Sequence, residues 1–184
     1  MTKTNNTPKP LTSRFDIIFY FSTQALFLLG LIFQIFTQLW TENTIFGMRL
    51  FWISMAFGIL TSFILIFLVR WISPSIYSQK NKRLSVNLGL FLGLAIFTPA
   101  LTTFINRKFS DSSEICRKYQ VENKSKGSKG NRTHYLEINI ENKKEQFIID
   151  RDVYDNIETK GQIELCTKKG KLGYEFVTEF KAVN

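Results

Sequence analysis

The chain has 184 residues, 24 Lys plus Arg against 15 Asp plus Glu, 45% hydrophobic and 15% aromatic residues, one His and two Cys. So few and such widely spaced thiol and imidazole groups exclude a disulfide-rich scaffold and a zinc cluster, and long apolar runs exclude intrinsic disorder. The mean hydropathy of −0.03 averages two unlike halves, because the 78 residues from Arg107 onward hold 29 of the 39 charged side chains; a single soluble domain is therefore excluded as well.

Residues 1–14 form a short basic tail, and residues 15–106 are dominated by three charge-free apolar runs, about 17–40, 50–69 and 86–105. A helix rises about 1.5 Å per residue and a hydrocarbon core is roughly 30 Å thick, so about 20 apolar residues suffice to cross. Each run is read as a transmembrane helix. The first is too long for the apolar part of a cleaved signal peptide and is followed by no small-x-small cleavage pattern.

Lys and Arg in short loops are retained on the cytoplasmic side during insertion. Lys3, Lys9 and Arg14 precede the first span, and Arg70, Lys80, Lys82 and Arg83 fill the link between the second and third. The link between the first two spans holds only Glu42 and Arg49. Three crossings then place the N-terminus in the cytoplasm and the C-terminal region outside it, in a multi-pass protein of a bacterial plasma (inner) membrane. Lys80, Lys82 and Arg83 are placed to lie against anionic headgroups of the lipid bilayer. Trp40, Trp52, Trp71 and Tyr77 fall near span ends, where amphipathic rings favour the headgroup layer.

Small residues four apart let helix backbones approach closely in lipid. Ser54, Gly58 and Ser62 make one such stripe in the second span, and Gly89 with Gly93 makes another in the third. These are read as packing contacts within the chain, with a homo-oligomer seam as the alternative. Gln24 and Gln34 are the amides in the first span that need partners, and Pro99 predicts a kink in the third.

After a linker at 107–114 the periodicity changes to alternation with regular turn signals, the pattern of a small antiparallel β-domain over 115–184. Strands are expected at about 115–122, 133–140, 146–149, 162–167 and 174–180, with a short helix from Asp150 to Ile157. The fold class expected is membrane α plus a small all-β domain: three transmembrane helices followed by a five-stranded barrel or sandwich of the OB or SH3 kind.

Candidate functional residues are few. An extracytoplasmic position permits a disulfide between Cys116 and Cys166, the alternative being two reduced thiols. His134 lies on an apolar strand face, which favours packing over catalysis, and no catalytic, cofactor or metal constellation stands out. Lys124, Lys126, Lys129 and Arg132 occupy a glycine-containing segment suited to an anion or partner contact, or to a simple hairpin loop. With 16 basic against 13 acidic residues from Arg107 onward, the domain is not expected to bind nucleic acid. Phe176, Val177 and Phe180 mark the last strand as an edge that a partner strand could join.

Tyr119, the basic loop, Tyr135-Leu-Glu-Ile, Val153-Tyr154, Ile157, Gly161 and Lys169-Gly-Lys-Leu-Gly-Tyr174 form a pattern over about residues 115–177. It resembles uncharacterised small bacterial polytopic membrane proteins with a C-terminal β-domain. The resemblance implies an architecture and brings no activity, cofactor or catalytic residue with it. The function expected from the residues is a non-enzymatic membrane protein whose β-domain binds a protein or an envelope component, of accessory, scaffold or immunity type. The alternatives are an oligomeric transporter or channel subunit, joined through Gly89 and Gly93 with Gln24 or Gln34 facing a pore, and a membrane-bound enzyme using His134 or a thiol.

Overall fold

The computed structural model describes residues 14–127 and 133–183. Its elements in chain order are α1 (Arg14–Glu42), α2 (Gly47–Ile72), α3 (Pro74–Tyr77), α4 (Lys80–Lys108), β1 (Glu114–Lys126), β2 (His134–Ile140), β3 (Lys143–Ile149), α5 (Arg151–Asn156), β4 (Gln162–Lys169) and β5 (Glu175–Val183). Three long apolar helices are thus followed by five antiparallel strands curled into a half-barrel.

Helices α1, α2 and α4 are each long and apolar enough to cross a membrane. At 29 residues, α1 and α4 span about 43 Å, more than a hydrocarbon core, so their ends reach headgroup depth. Phe36, Phe67 and Trp71 stand out from these helices at 72%, 73% and 81% exposure. Surface of that kind is stable against acyl chains and costly against water, and the chain is a membrane protein. Helix α4 continues through Pro99.

The fold divides into two compact units: residues up to Ile35 with Ile53–Ala100, and Phe36–Trp52 with the chain from Leu101 onward. In the first unit the helices meet at glycines. A methyl group on Gly93 would lie 3.2 Å from the backbone nitrogen of Phe27, one on Gly89 2.9 Å from the carbonyl oxygen of Thr23, and one on Gly58 2.8 Å from Thr98 Oγ1. Gly30 sits as closely against Gly93 and Phe97. Ser54 and Ser62 are buried, and Ser62 Oγ donates to the carbonyl of Ile59. Gln24 Nε2 donates to Ser85 O at 3.1 Å and to Ser85 Oγ at 3.0 Å, which satisfies the amide inside the chain.

The basic link between α2 and α4 is more ordered than its composition suggests. Pro74 opens the single turn α3, whose Ile76 is fully buried with Val69, Val86 and Leu90. Ser75 Oγ donates to the buried carboxylate of Asp16, and Tyr77 Oη donates to Asn87 Oδ1 at 2.7 Å. Burial raises the Tyr77 phenol above its ordinary range, against the opposing charges of Arg70 and Arg83.

In the second unit the strand order is β3-β2-β1-β4-β5, with every neighbouring pair antiparallel. Strand β1 lies at the centre. Alternation puts Leu136, Ile138 and Ile140 of β2 on one buried face, joined by Val121, Phe147, Ile149, Ile163, Leu165 and Val177. Ile157 closes the core after α5, with Val153 and Tyr154 packed on it. Bulges at Val121/Asn123 and Cys166/Thr167 increase local twist and help the sheet to curl.

The strands outrun the predicted stretches, because a backbone ladder continues where no face is buried and alternation therefore fades. Lys124 and Lys126 belong to β1, opposite Leu136 and His134. Lys129 and Arg132 lie outside the described residues, as do Lys3 and Lys9 of the tail.

Candidate functional site

The second unit contains a feature that composition hides: residues 43–46, between α1 and α2, behave as part of the β-domain. Val177 N donates to Asn43 O at 2.9 Å and Ile45 N donates to Glu175 O at 2.8 Å, making Thr44 an antiparallel bridge partner of Phe176. Ile45 is buried in the β-domain core and Phe46 packs against it. Phe46, at φ 56°, turns its backbone N–H to the carboxylate of Glu145 on β3. Lys143 Nζ lies 5.0 Å above the Phe46 ring. The segment is therefore held by both outer strands, β5 and β3. Burial pushes the Glu145 carboxyl up, while the Phe46 N–H and the charge of Lys143 hold it back.

The end of α4 supplies a second fastening. Asn106, fully buried, donates from Nδ2 to Tyr174 O at 3.0 Å and accepts from Leu172 N at 3.0 Å, and its main-chain oxygen accepts from Lys171 N at 3.0 Å. The β4–β5 turn is thereby fixed to the last helical turn. Gly170 is required there, since a Cβ would enter the Asn106 amide, and Gly173 takes φ 86°, where a side chain would be strained. One residue on, the Arg107 guanidinium lies 5.2 Å from the Trp40 ring and 4.9 Å from the Phe176 ring, a cation held between two π faces. Thr41 and Thr103, on the same two helices, share a hydrogen bond at 3.2 Å.

This arrangement bears on how much of the last strand a partner could reach. Strand β5 is outermost in the sheet, but Phe176 and Val177 are buried, because residues 43–45 already occupy that edge. Phe180 packs on the core beside Phe147, ring centres 6.0 Å apart. The signal for this was an Ile-Phe pair in a four-residue interhelix link, where polar residues would have sufficed.

The other singled-out residues are placed as follows. Cys116 and Cys166 face each other in register across β1 and β4 and are joined by a disulfide. The His134 ring lies 4.7 Å from that of Tyr154. Lys124 Nζ sits 4.2 Å above the same Tyr154 ring and donates to Ile157 O, and Lys126 Nζ is 5.4 Å from the ring, so both lysines are engaged with α5 and its flank. Gly89 and Gly93 lie against α1, a Cβ on them meeting Thr23 and Phe27. Among the described residues no group of three His, Cys, Asp or Glu is arranged to hold a metal ion.

No protein family, curated protein or solved structure matches the chain. The resemblance noted from its motifs extends to the architecture of three apolar helices with a strand domain.

Proposed function

We propose that the chain is a non-enzymatic integral protein of the bacterial plasma membrane, of accessory, scaffold or immunity type, whose helices hold a small extracytoplasmic β-domain for binding a protein or an envelope component. The observation that carries this reading is the double fastening of the β-domain to residues 43–46 and Asn106. A binding surface gains from such a mount because less freedom is lost when a partner docks. Of the groups considered for an enzyme, both thiols lie in the disulfide and the His134 ring lies beside Tyr154.

Two features support the orientation. Disulfides persist in oxidising compartments. The basic residues of the α2–α4 link favour the cytoplasm, whereas lysines in the β-domain weigh little, since long segments are translocated largely regardless of charge.

Past Val177, the outer edge of β5 has no backbone partner beyond the sheet among the described residues, and this is the stretch open to strand addition. Photo-crosslinking amino acids at Glu179 and Ala182 of the full chain in its native cells should give a discrete adduct, and one at Asp152 on α5 should not. Absence of any adduct from Glu179, Ala182 and the exposed Lys144 and Lys118 would overturn the binding role.

A further inference from the structure

The β4–β5 turn has a composition that neither its fold nor the proposed binding role uses. Lys168 and Lys169 lead into it from β4, Lys171 lies within it, and Leu172 at its tip is 44% exposed. Beside it, the end of α4 offers exposed Lys108 and then Phe109, 61% exposed. The two segments are tied together, since Lys171 N and Leu172 N donate to Asn106 and Asp111 N donates to Lys169 O at 3.1 Å. Among the described residues none of these four lysines forms an ion pair. The nearby carboxylates are in part engaged elsewhere, Glu114 with Thr178 and Glu175 with Arg117 and Thr167.

Depth decides what such a surface meets. The charge-free run of α4 ends at Ile105, and Asn106, which grips the turn, follows it directly. Headgroups occupy about 5–8 Å on each side of the hydrocarbon core, so a turn bonded to that residue lies among them. Arg107 and Trp40 mark the same level, as an interfacial aromatic does. An exposed Leu and Phe at this depth favour the acyl boundary, and lysines without an ion pair there complement phosphate charge.

We propose that the β4–β5 turn and the end of α4 form a binding site for anionic phospholipid headgroups, with Lys108, Lys168, Lys169 and Lys171 meeting the phosphates and Leu172 and Phe109 entering the acyl boundary. The site is independent of any protein partner. It makes the β-domain a peripheral lipid reader as well as a mounted domain, with turn and headgroups stabilising one another.

The test uses the full chain in nanodiscs of phosphatidylcholine alone or with phosphatidylglycerol added, read by native mass spectrometry for retained lipid and by amide exchange over residues 168–174. Phosphatidylglycerol should be retained and should slow exchange in the turn, while inorganic phosphate added to phosphatidylcholine discs should do neither. Replacing Lys168, Lys169 and Lys171 by Gln should weaken phosphatidylglycerol binding about fivefold per lysine. Leu172→Ser keeps every charge and the Asn106 contacts, yet should lose much of the slowing. Equal exchange in the two bilayers would overturn the proposal, and so would slowing by inorganic phosphate alone, which would mean a simple anion site. Unchanged exchange across β1 and β4 in the variants shows that they remain folded.

Discussion

Glu145 shows how one side chain reports on the seat of a membrane loop. Its carboxyl is half-buried at the start of β3, where burial raises its pKa and the Phe46 N–H with Lys143 partly offsets that rise. The folded state thus holds the proton to higher pH than the unfolded chain, so protonation favours folding. Stability contributed this way is fully present below the unfolded value and is lost as pH rises through the raised folded one. Glu145→Gln keeps an acceptor for Phe46 and removes the charge. The variant should therefore melt above the parent at pH 7, and the difference should vanish toward pH 4, followed by the near-ultraviolet signal of the detergent-solubilised chain. A difference independent of pH would show that Glu145 is solvated in the folded state. Sequence could not single out this residue, because its environment is made by Phe46, almost a hundred positions away, and local alternation shows only that position 145 opposes Ile138.

The elements differ in how far the sequence disclosed them. The spans were legible because length and absence of charge are properties of a single segment, and Gly58, Gly89 and Gly93 because spacing on one helix marks a smooth face. Gly30 was not, since its role depends on Gly93 of another helix. The β-domain was legible where one face is buried, as in Leu136, Ile138 and Ile140, and lost at Lys124 and Lys126, where pairing is carried by backbone alone. The turn α3 is too short for any periodic signal. Most distant of all was the function of residues 43–46 as a partial strand, which arises only when two outer strands leave a gap. That role makes a discriminating prediction. Ile45→Ala removes a buried side chain from the β-domain core and should destabilise that domain by about 2–5 kcal/mol. Amide exchange should quicken at Val177 and through β2 and β3, which follow the substitution by some ninety to 130 positions, while the middle of α1 is unaffected. Exchange changed only next to residue 45 would show that the segment merely rests on the sheet.

For the molecule as a whole, charge distribution and the disulfide bear on the same question from separate physics. The proposed topology puts Arg70, Lys80, Lys82 and Arg83 on the side where basic loops are retained during insertion, and the bonded Cys116 and Cys166 on the side where disulfides persist. A cross-link between residues 50 positions apart also restricts the unfolded domain, typically by 2–4 kcal/mol, on the order of what a core of this size needs. Both lines are what the proposed topology, three crossings with the β-domain outside, requires. A maleimide that cannot cross membranes, applied to spheroplasts, should then label neither thiol until a reductant that is equally excluded has been added. Cys116, exposed on β1, should react before Cys166, which is buried on β4. Thiols silent until lysis would put the domain in the cytoplasm and remove the envelope as the source of a partner. The headgroup site would survive that outcome, because it depends on the depth of Asn106 and the charge of the turn, whichever leaflet they meet.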